Sequence, residues 1–297
     1  MPGTGDAARI RAEEVVVRGT GMRWWVAGAM AAVCAVLLGP SAPSSALVAR
    51  PLPAHAAEDV VPHRVVTWNI CNPCGRVGHN LGRAAEIATY APQVIGLQEA
   101  CVRDVEKIRQ YLRNFHGLDY HVEYGMVLQN RNRCGGLPWS PGAFGQAILS
   151  AAPMTDHKQT EYPDGGSEDR GYMAVTTTVD GRSVRVFNTH LAQRRQEAVR
   201  ADQIGVLAAE VARYDRAIVL GDFNAVPDAP ELGGMWALAS DADLRCHPSP
   251  DQGCEPTTDW RSKFDYVFLR DVTAQAQRVH PSRYSDHDMV HADLDLG

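Results

Sequence analysis

Val219-Leu220-Gly221-Asp222-Phe223-Asn224 is an apolar run that ends by presenting a carboxylate and an amide two residues apart. Residues i and i+2 of a strand project from one face, so Asp222 and Asn224 can meet a single small polar target. On its own a Gly-Asp-x-Asn is an ordinary tight turn, because Gly and Asn are turn residues. Here it does not stand alone. Val65-Val66-Thr67-Trp68-Asn69, Val94-Ile95-Gly96-Leu97-Gln98-Glu99 and Val184-Arg185-Val186-Phe187-Asn188-Thr189-His190 all end the same way. Phe264-Asp265-Tyr266-Val267-Phe268 precedes a fourth polar cluster, Ser285-Asp286-His287-Asp288. Asn, Glu, His and Asp beside β-rich runs make a mixture that suits a hard metal ion and a phosphate.

The chain has 297 residues, enough for one large domain or two small ones. Trp24 to Leu38 is apolar and follows Arg18 and Arg23, with no charge from Trp24 through Ala49. Ala54-His55-Ala56-Ala57 then offers an A-x-A cleavage pattern, so residues 1–57 read as a secretory signal region. The apolar stretch is shorter than the ~20 residues that span a bilayer. Met22 directly precedes Arg23 and the apolar run, and residues 1–21 are expected to lie upstream of the true start, an N-terminal extension being the alternative. The mature chain, 58–297, is then expected to be exported, with no transmembrane segment and no stable protein partner implied.

Residues 1–57 take few charges with them: the remainder keeps 24 of the 29 Lys+Arg and 32 of the 35 Asp+Glu. An acidic chain is not a general coat for nucleic acid, whose backbone is bound electrostatically. A locally basic cleft remains open to it, with Arg131, Arg133, Arg170, Arg194 and Arg195 as its candidates or as plain surface charges. Six cysteines follow Cys34, an even number that favours disulfides in an exported protein. Cys71-Asn72-Pro73-Cys74 could also be a redox or zinc pair, but no second C-x-x-C accompanies it. Of the 15 pairings, Cys246–Cys254 is the first expectation, ahead of Cys71–Cys74 and Cys101–Cys134.

After residue 58 no Pro/Gly/Ser-rich linker and no internal repeat interrupts the chain. Helices are expected over 81–90, 101–115 and 192–214, the last with Val199, Gln203, Val206, Leu207 and Val211 on one stripe. Strands are expected at 94–98, 120–128, 146–150, 172–179, 184–189, 217–221, 264–270, 272–279 and 288–294. Segments 131–142 and 164–171 read as loops. Pattern alone gives an α/β or α+β chain.

In their order and spacing the five motifs resemble those of the endonuclease/exonuclease/phosphatase superfamily, which includes pancreatic-type deoxyribonucleases, abasic-site endonucleases, bacterial sphingomyelinases and inositol-polyphosphate phosphatases. The resemblance runs from about Arg64 to the C-terminus. It implies a four-layer α/β sandwich, two mixed β-sheets packed face to face with helices outside. It implies Glu99 as the primary metal ligand, with Asn69 and Asp286 beside it, for Mg²⁺, Mn²⁺ or Ca²⁺. His287 becomes the general base, with an ordinary pKa near 6.5 and its ring held by Asp265. Asp222 and Asn224 would orient water and a phosphate oxygen, His190 would contact the phosphate, and Arg170 matches a phosphate-contacting arginine of some secreted nucleases. The remaining histidines, His280 and His291 among them, have no such neighbours in sequence.

The resemblance leaves the substrate open. Gly221-Asp222-Phe223-Asn224 runs into Ala225-Val226-Pro227, unlike the inositol-phosphatase pattern, and the export signal and His190 separate the chain from abasic-site enzymes. A secreted endonuclease acting on DNA is the leading expectation. A sphingomyelinase-like phospholipid phosphodiesterase, with Trp139 or Trp260 reaching a membrane, is the alternative. A phosphomonoesterase or a non-catalytic module on the same fold are further ones.

Overall fold

The computed structural model describes residues 60–71, 79–193, 195–246 and 253–297. In chain order the elements are β1 (Val61–Asn69), α1 (His79–Tyr90), β2 (Pro92–Cys101), α2 (Val102–His116), β3 (His121–Gln129) and α3 (Arg131–Cys134). Two short strands, β4 (Gly136–Leu137) and β5 (Ser140–Pro141), lead into β6 (Ala143–Ser150), β7 (Thr155–Glu161), β8 (Gly171–Val179) and β9 (Arg182–His190). Then come α4 (Glu197–Val211), β10 (Ala217–Asp222), α5 (Gly233–Trp236), β11 (Ser240–Asp241), β12 (Asp265–Arg270), β13 (Thr273–His280) and β14 (Met289–Asp295).

These strands form two six-stranded sheets, β13-β14-β1-β2-β6-β3 and β11-β12-β10-β9-β8-β7. Each is mixed, with one parallel pair: β1 with β2, and β9 with β10. Val65, Val94 and Ile148 of the first sheet pack with Val186, Ile218, Leu220 and Val267 of the second in one buried layer. Val66, Trp68 and Ile95 turn the other way, onto Ile87, Val105 and Ile108 of α1 and α2. Phe187, Val219 and Phe268 likewise meet Ile204, Leu207 and Met235 of α4 and α5. Apolar residues on both faces explain why these strands read as continuous hydrophobic runs. The architecture is the expected four-layer α/β sandwich.

The period-two alternation of a strand then decides where the polar strand ends point. Since Val65 faces the other sheet, so do Thr67 and Asn69; since Ile218 and Leu220 do, so does Asp222. His190 and Asp265 follow by the same parity from Val186 and Val267. Beneath them Gln98 Nε2 donates to Asn188 Oδ1 (2.6 Å) and to Thr67 Oγ1 (3.0 Å), stitching the sheets through buried amides. Gly96 permits that approach, because a Cβ there would lie 2.9 Å from Asn188 Oδ1.

Most expected elements are present, with differences that have causes. Helix α4 starts at Glu197 instead of 192, because the Ala192 N–H is taken by Gln203 Oε1 (2.8 Å) and the Gln193 carbonyl by Arg200 (2.6 Å). Strand β7, unanticipated, is a polar edge strand (Thr-Asp-His-Lys-Gln-Thr-Glu) that shows no apolar face to the eye. Segment 131–142, read as loop, holds one helical turn and a two-residue hairpin. Cys101–Cys134 and Cys246–Cys254 are both disulfides. Cys74, the signal region and Arg194 lie outside the described residues. Among the described residues no helix is long and apolar enough to cross a membrane.

Candidate active site

Strand register assembles the site. Asp222, last in β10, is paired with His190 at the end of parallel β9 and with Asp265 at the start of antiparallel β12. Three inward-facing side chains therefore stand in a row at one edge of one sheet. The other sheet supplies Asn69, whose Nδ2 donates to Asp222 Oδ2 (3.0 Å).

The Ser285–Asp288 loop docks onto the end of β1. Ser285 Oγ donates to Asn69 O (2.6 Å) and accepts from His287 N (3.1 Å), while Trp68 Nε1 donates to His287 O (3.0 Å). Buried Arg83 bonds the Ile70, Cys71 and Tyr284 carbonyls, fixing the same loop from behind. The His287 ring is thereby placed with Nδ1 2.9 Å from Asp265 Oδ2 and Nε2 3.7 Å from Asp222 Oδ2. Thr257 Oγ1 donates to the same Asp265 oxygen (2.7 Å). His190 Nε2 lies 3.3 Å from Asp222 Oδ2, so two imidazoles flank one carboxylate.

Charge follows from this packing. Burial alone would raise Asp222, but the charge of His287 and the bonds from His190 and Asn69 overrule it and hold the carboxyl well below its usual range. Burial alone would lower His287, but Asp265 and Asp222 raise it to about 10. No local pattern signals this second effect, because Asp222 and Asp265 stand 43 residues apart on different strands. Asp265, dominated by burial, is pushed up despite His287.

Glu99 and Asp286 differ from these groups. Both line a cavity of about 610 Å³ with Cys71, His190, Asp222, Asn224 and His287. Neither carboxylate accepts a hydrogen bond from any described residue. Glu99 is aimed there by a bulge where β2 slips against β6 between Leu97 and Ala100, with φ 49°. Cys71, Arg195 and Asn224 on the cavity wall also have positive φ, a strained backbone of the kind that gathers at functional sites. Glu99 and Asp286, in one polar cavity, fit Mg²⁺, which takes one or two carboxylates and keeps several waters. Asn69 is less free than expected, since its Oδ1 already accepts from Cys71 N (2.9 Å). Asp222, Asp265 and His287 bring donor atoms within 4.8 Å of one another and could hold an ion, but those atoms already face each other.

Of the expected residues, His190, Asp222, Asn224, Asp265 and His287 converge, and Glu99 and Asp286 face them. Asn224 N donates to Asp222 Oδ1 (2.8 Å), and its Nδ2 donates to Leu191 O (3.1 Å). Arg170 is elsewhere: it is buried behind His190 and does not line the cavity. Arg133 pairs with Glu168 (2.7 Å), and Arg195 reaches the cavity wall. Trp139 is 79% exposed, whereas Trp260 stands at the cavity rim with its ring edge-on to His287 at 5.5 Å. The reading of sequence missed Thr257 and Glu168. Their only signal was nearness to Asp265 and Arg170, which many surface residues share.

A two-sheet sandwich with histidines and carboxylates gathered at one strand edge defines a class of phosphoester-hydrolysing fold. The chain belongs to the endonuclease/exonuclease/phosphatase family, which it matches over residues 66–287. Members of that family are in general phosphoester hydrolases dependent on divalent metals. Among solved structures, an endonuclease/exonuclease/phosphatase from Beutenbergia cavernae is 24% identical, covering 79% of this chain and 71% of that one with a TM-score of 0.65. TDP2 of D. rerio complexed with a single-strand DNA product is 19% identical, covering 78% and 98% at a TM-score of 0.62. The human Nocturnin catalytic domain with bound sulfate is 21% identical, covering 79% and 93% at 0.59. No curated protein matches the sequence.

Proposed function

We propose that the chain is an exported, divalent-metal-dependent phosphodiesterase that cleaves DNA endonucleolytically, with residues 58–297 as one catalytic domain behind a cleaved signal region. The observation that carries the hydrolase reading is the placement of His190 and His287 on either side of Asp222 Oδ2, facing Glu99 and Asp286, which accept no hydrogen bond from the described residues. Glu99 and Asp286, with Asn69, would hold Mg²⁺ or Mn²⁺, which supplies charge neutralisation at the phosphate oxygens.

The remaining work belongs to the chain's own groups. Asp222 is ionised and accepts, so it orients the attacking water. Asn224 offers its amide to a phosphate oxygen. Asp265 holds the His287 ring, which exchanges a proton with the reactants at Nε2. The carboxylates of Asp265 and Asp222 favour the ring's protonated form, so His287 can take the proton that the attacking water loses and pass one to the leaving oxygen.

DNA is favoured because the cavity is open, with Arg195 on its wall and the half-exposed Trp260 at its rim, a cation for the backbone and a ring for a base. The disulfides and the apolar N-terminal segment support export. The test is a panel of supercoiled plasmid, RNA and sphingomyelin vesicles with Mg²⁺, Mn²⁺ or Ca²⁺. Nicked plasmid appearing before linear product supports the proposal. Phosphocholine release with intact plasmid replaces it with the phospholipid reading.

A further inference from the structure

Arg170 is 2% exposed, and no apolar packing argument explains a guanidinium there. Strand β8 begins at Gly171, which pairs with His190, so the residue just before it is delivered beside that ring. Arg170 Nη1 lies 3.1 Å from His190 Nδ1 and 2.8 Å from Glu168 Oε2. The other Glu168 oxygen, Oε1, lies 2.7 Å from Arg133 Nη1, and the Arg133 guanidinium rests on the Phe144 ring at 4.6 Å. Glu168 thus forms an ion pair with each arginine and anchors the Arg170 guanidinium by charge.

A guanidinium has donors and no acceptor, and it stays protonated. The nitrogen facing it, Nδ1 of His190, can therefore only be a lone pair. On the far side of the ring Nε2 faces Asp222 Oδ2 at 3.3 Å, and an ionised carboxylate only accepts. Nε2 must be the protonated nitrogen. Asn224 Nδ2 also lies 3.1 Å from Nε2, and were it the donor there, Nδ1–H would have to face the Arg170 N–H. Two donors head-on leave neither bonded, so the contact with Asn224 is a juxtaposition. The Asn224 amide then bonds Leu191 O through one hydrogen and keeps the other for a ligand.

We propose that Arg170, anchored by Glu168, is a positioning residue that locks His190 as the neutral Nε2–H tautomer. The inference rests on the phosphodiesterase reading for its catalytic consequence, although the tautomer itself does not. With its one proton held on Nε2, His190 shares that N–H between Asp222 Oδ2 and a ligand oxygen in the cavity. The two histidines are then not equivalent: His287 sits between two carboxylates and moves a proton, whereas His190 sits between a cation and a carboxylate and holds one.

The experiment is a long-range ¹H–¹⁵N correlation on the oxidised full chain labelled at histidine nitrogens, with His190 assigned by the signals lost in His190→Ala. The expected pattern at neutral pH is an unprotonated Nδ1 and a protonated Nε2. A protonated Nδ1 in the wild-type chain, alone or with Nε2, overturns the proposal whatever the enzyme does. Arg170→Met should let the other tautomer or the imidazolium appear, and should lower kcat on bis(p-nitrophenyl) phosphate at least tenfold with KM little changed. Arg170→Lys, which keeps a cationic donor, should restore the tautomer and part of kcat. An unaltered ring pattern in Arg170→Met refutes the role given to Arg170. If Arg170→Met does not fold, the wild-type spectrum and Arg170→Lys still decide. The predicted tautomer in a chain that hydrolyses no phosphodiester removes the function and leaves the lock standing.

Discussion

Asp265 Oδ2 lies 2.9 Å from Nδ1 of His287, a residue 22 positions further along the chain and on the far side of the β13–β14 hairpin's start. The carboxylate does two things to the ring: it fixes the orientation and it stabilises the charged form. Asp265→Asn keeps the shape and removes the charge, and its amide can present a donor to Nδ1. Turnover of a phosphodiester is expected to fall by ~10²–10⁴, the range for loss of a positioned acid–base group. His287→Ala should do the same. Circular dichroism must match the wild type, and a loss below tenfold in both variants rejects the dyad.

The two carboxylates that accept no hydrogen bond from the described residues make a separable prediction about metal. Glu99→Gln is nearly isosteric, and among the described residues Glu99 has no hydrogen bond to lose. Thermal stability should stay within ~0.5 kcal/mol of wild type. The Mg²⁺ concentration for half-maximal activity should rise by at least tenfold, as should the apparent Kd for Mn²⁺ by calorimetry. Excess chelator should abolish turnover and added Mg²⁺ restore it. Full activity in chelator eliminates the metal-dependent mechanism.

Loop length sets the expected contributions of the two disulfides. Cys101–Cys134 closes 33 residues and Cys246–Cys254 closes 8. Chain-entropy reasoning gives roughly 3.7 and 2.5 kcal/mol. Cys101→Ala with Cys134→Ala is therefore the more damaging pair in urea titration. It should also lower activity, because Cys101 lies two residues past Glu99 and Cys134 adjoins Arg133, the partner of Glu168. Equal midpoints for the two double variants contradict the ordering.

Much of this site was legible because its residues close apolar strands. Val65 to Asn69 and Val219 to Asp222 announce both the buried strand and, by parity, the face on which the last polar residue emerges. Arg170 shows what a sequence hides. Its motif placed it near phosphate, yet its position depends on Glu168 and on the β8–β9 register, neither of which has a pattern at that distance. The charge state of His287 was equally invisible, since it depends on Asp222 and Asp265 meeting across β10 and β12. Strand β7 escaped because an edge strand with neither face in the core carries no hydrophobic alternation to read.

Outside the site, His280 and His291 make a further testable pair. His280 stacks on Tyr90, and its Nε2 lies 2.8 Å from His291 Nδ1. Burial, then Arg64 and His280, push His291 from 6.5 down to about 4. The unfolded chain therefore binds a proton at this position at higher pH than the folded one does. Stability from the neutral ring is fully present above about pH 6.5, declines as pH falls, and levels off near pH 4 once both states are protonated. The slope from one such group approaches ~1.4 kcal/mol per pH unit at most. His291→Gln should be less stable than wild type at pH 8, having lost the buried ring and its contact with His280, and the gap should narrow steadily between pH 6.5 and 4. Urea midpoints at half-unit intervals measure it directly, and a gap that stays constant or widens on acidification shows that His291 is not a depressed histidine.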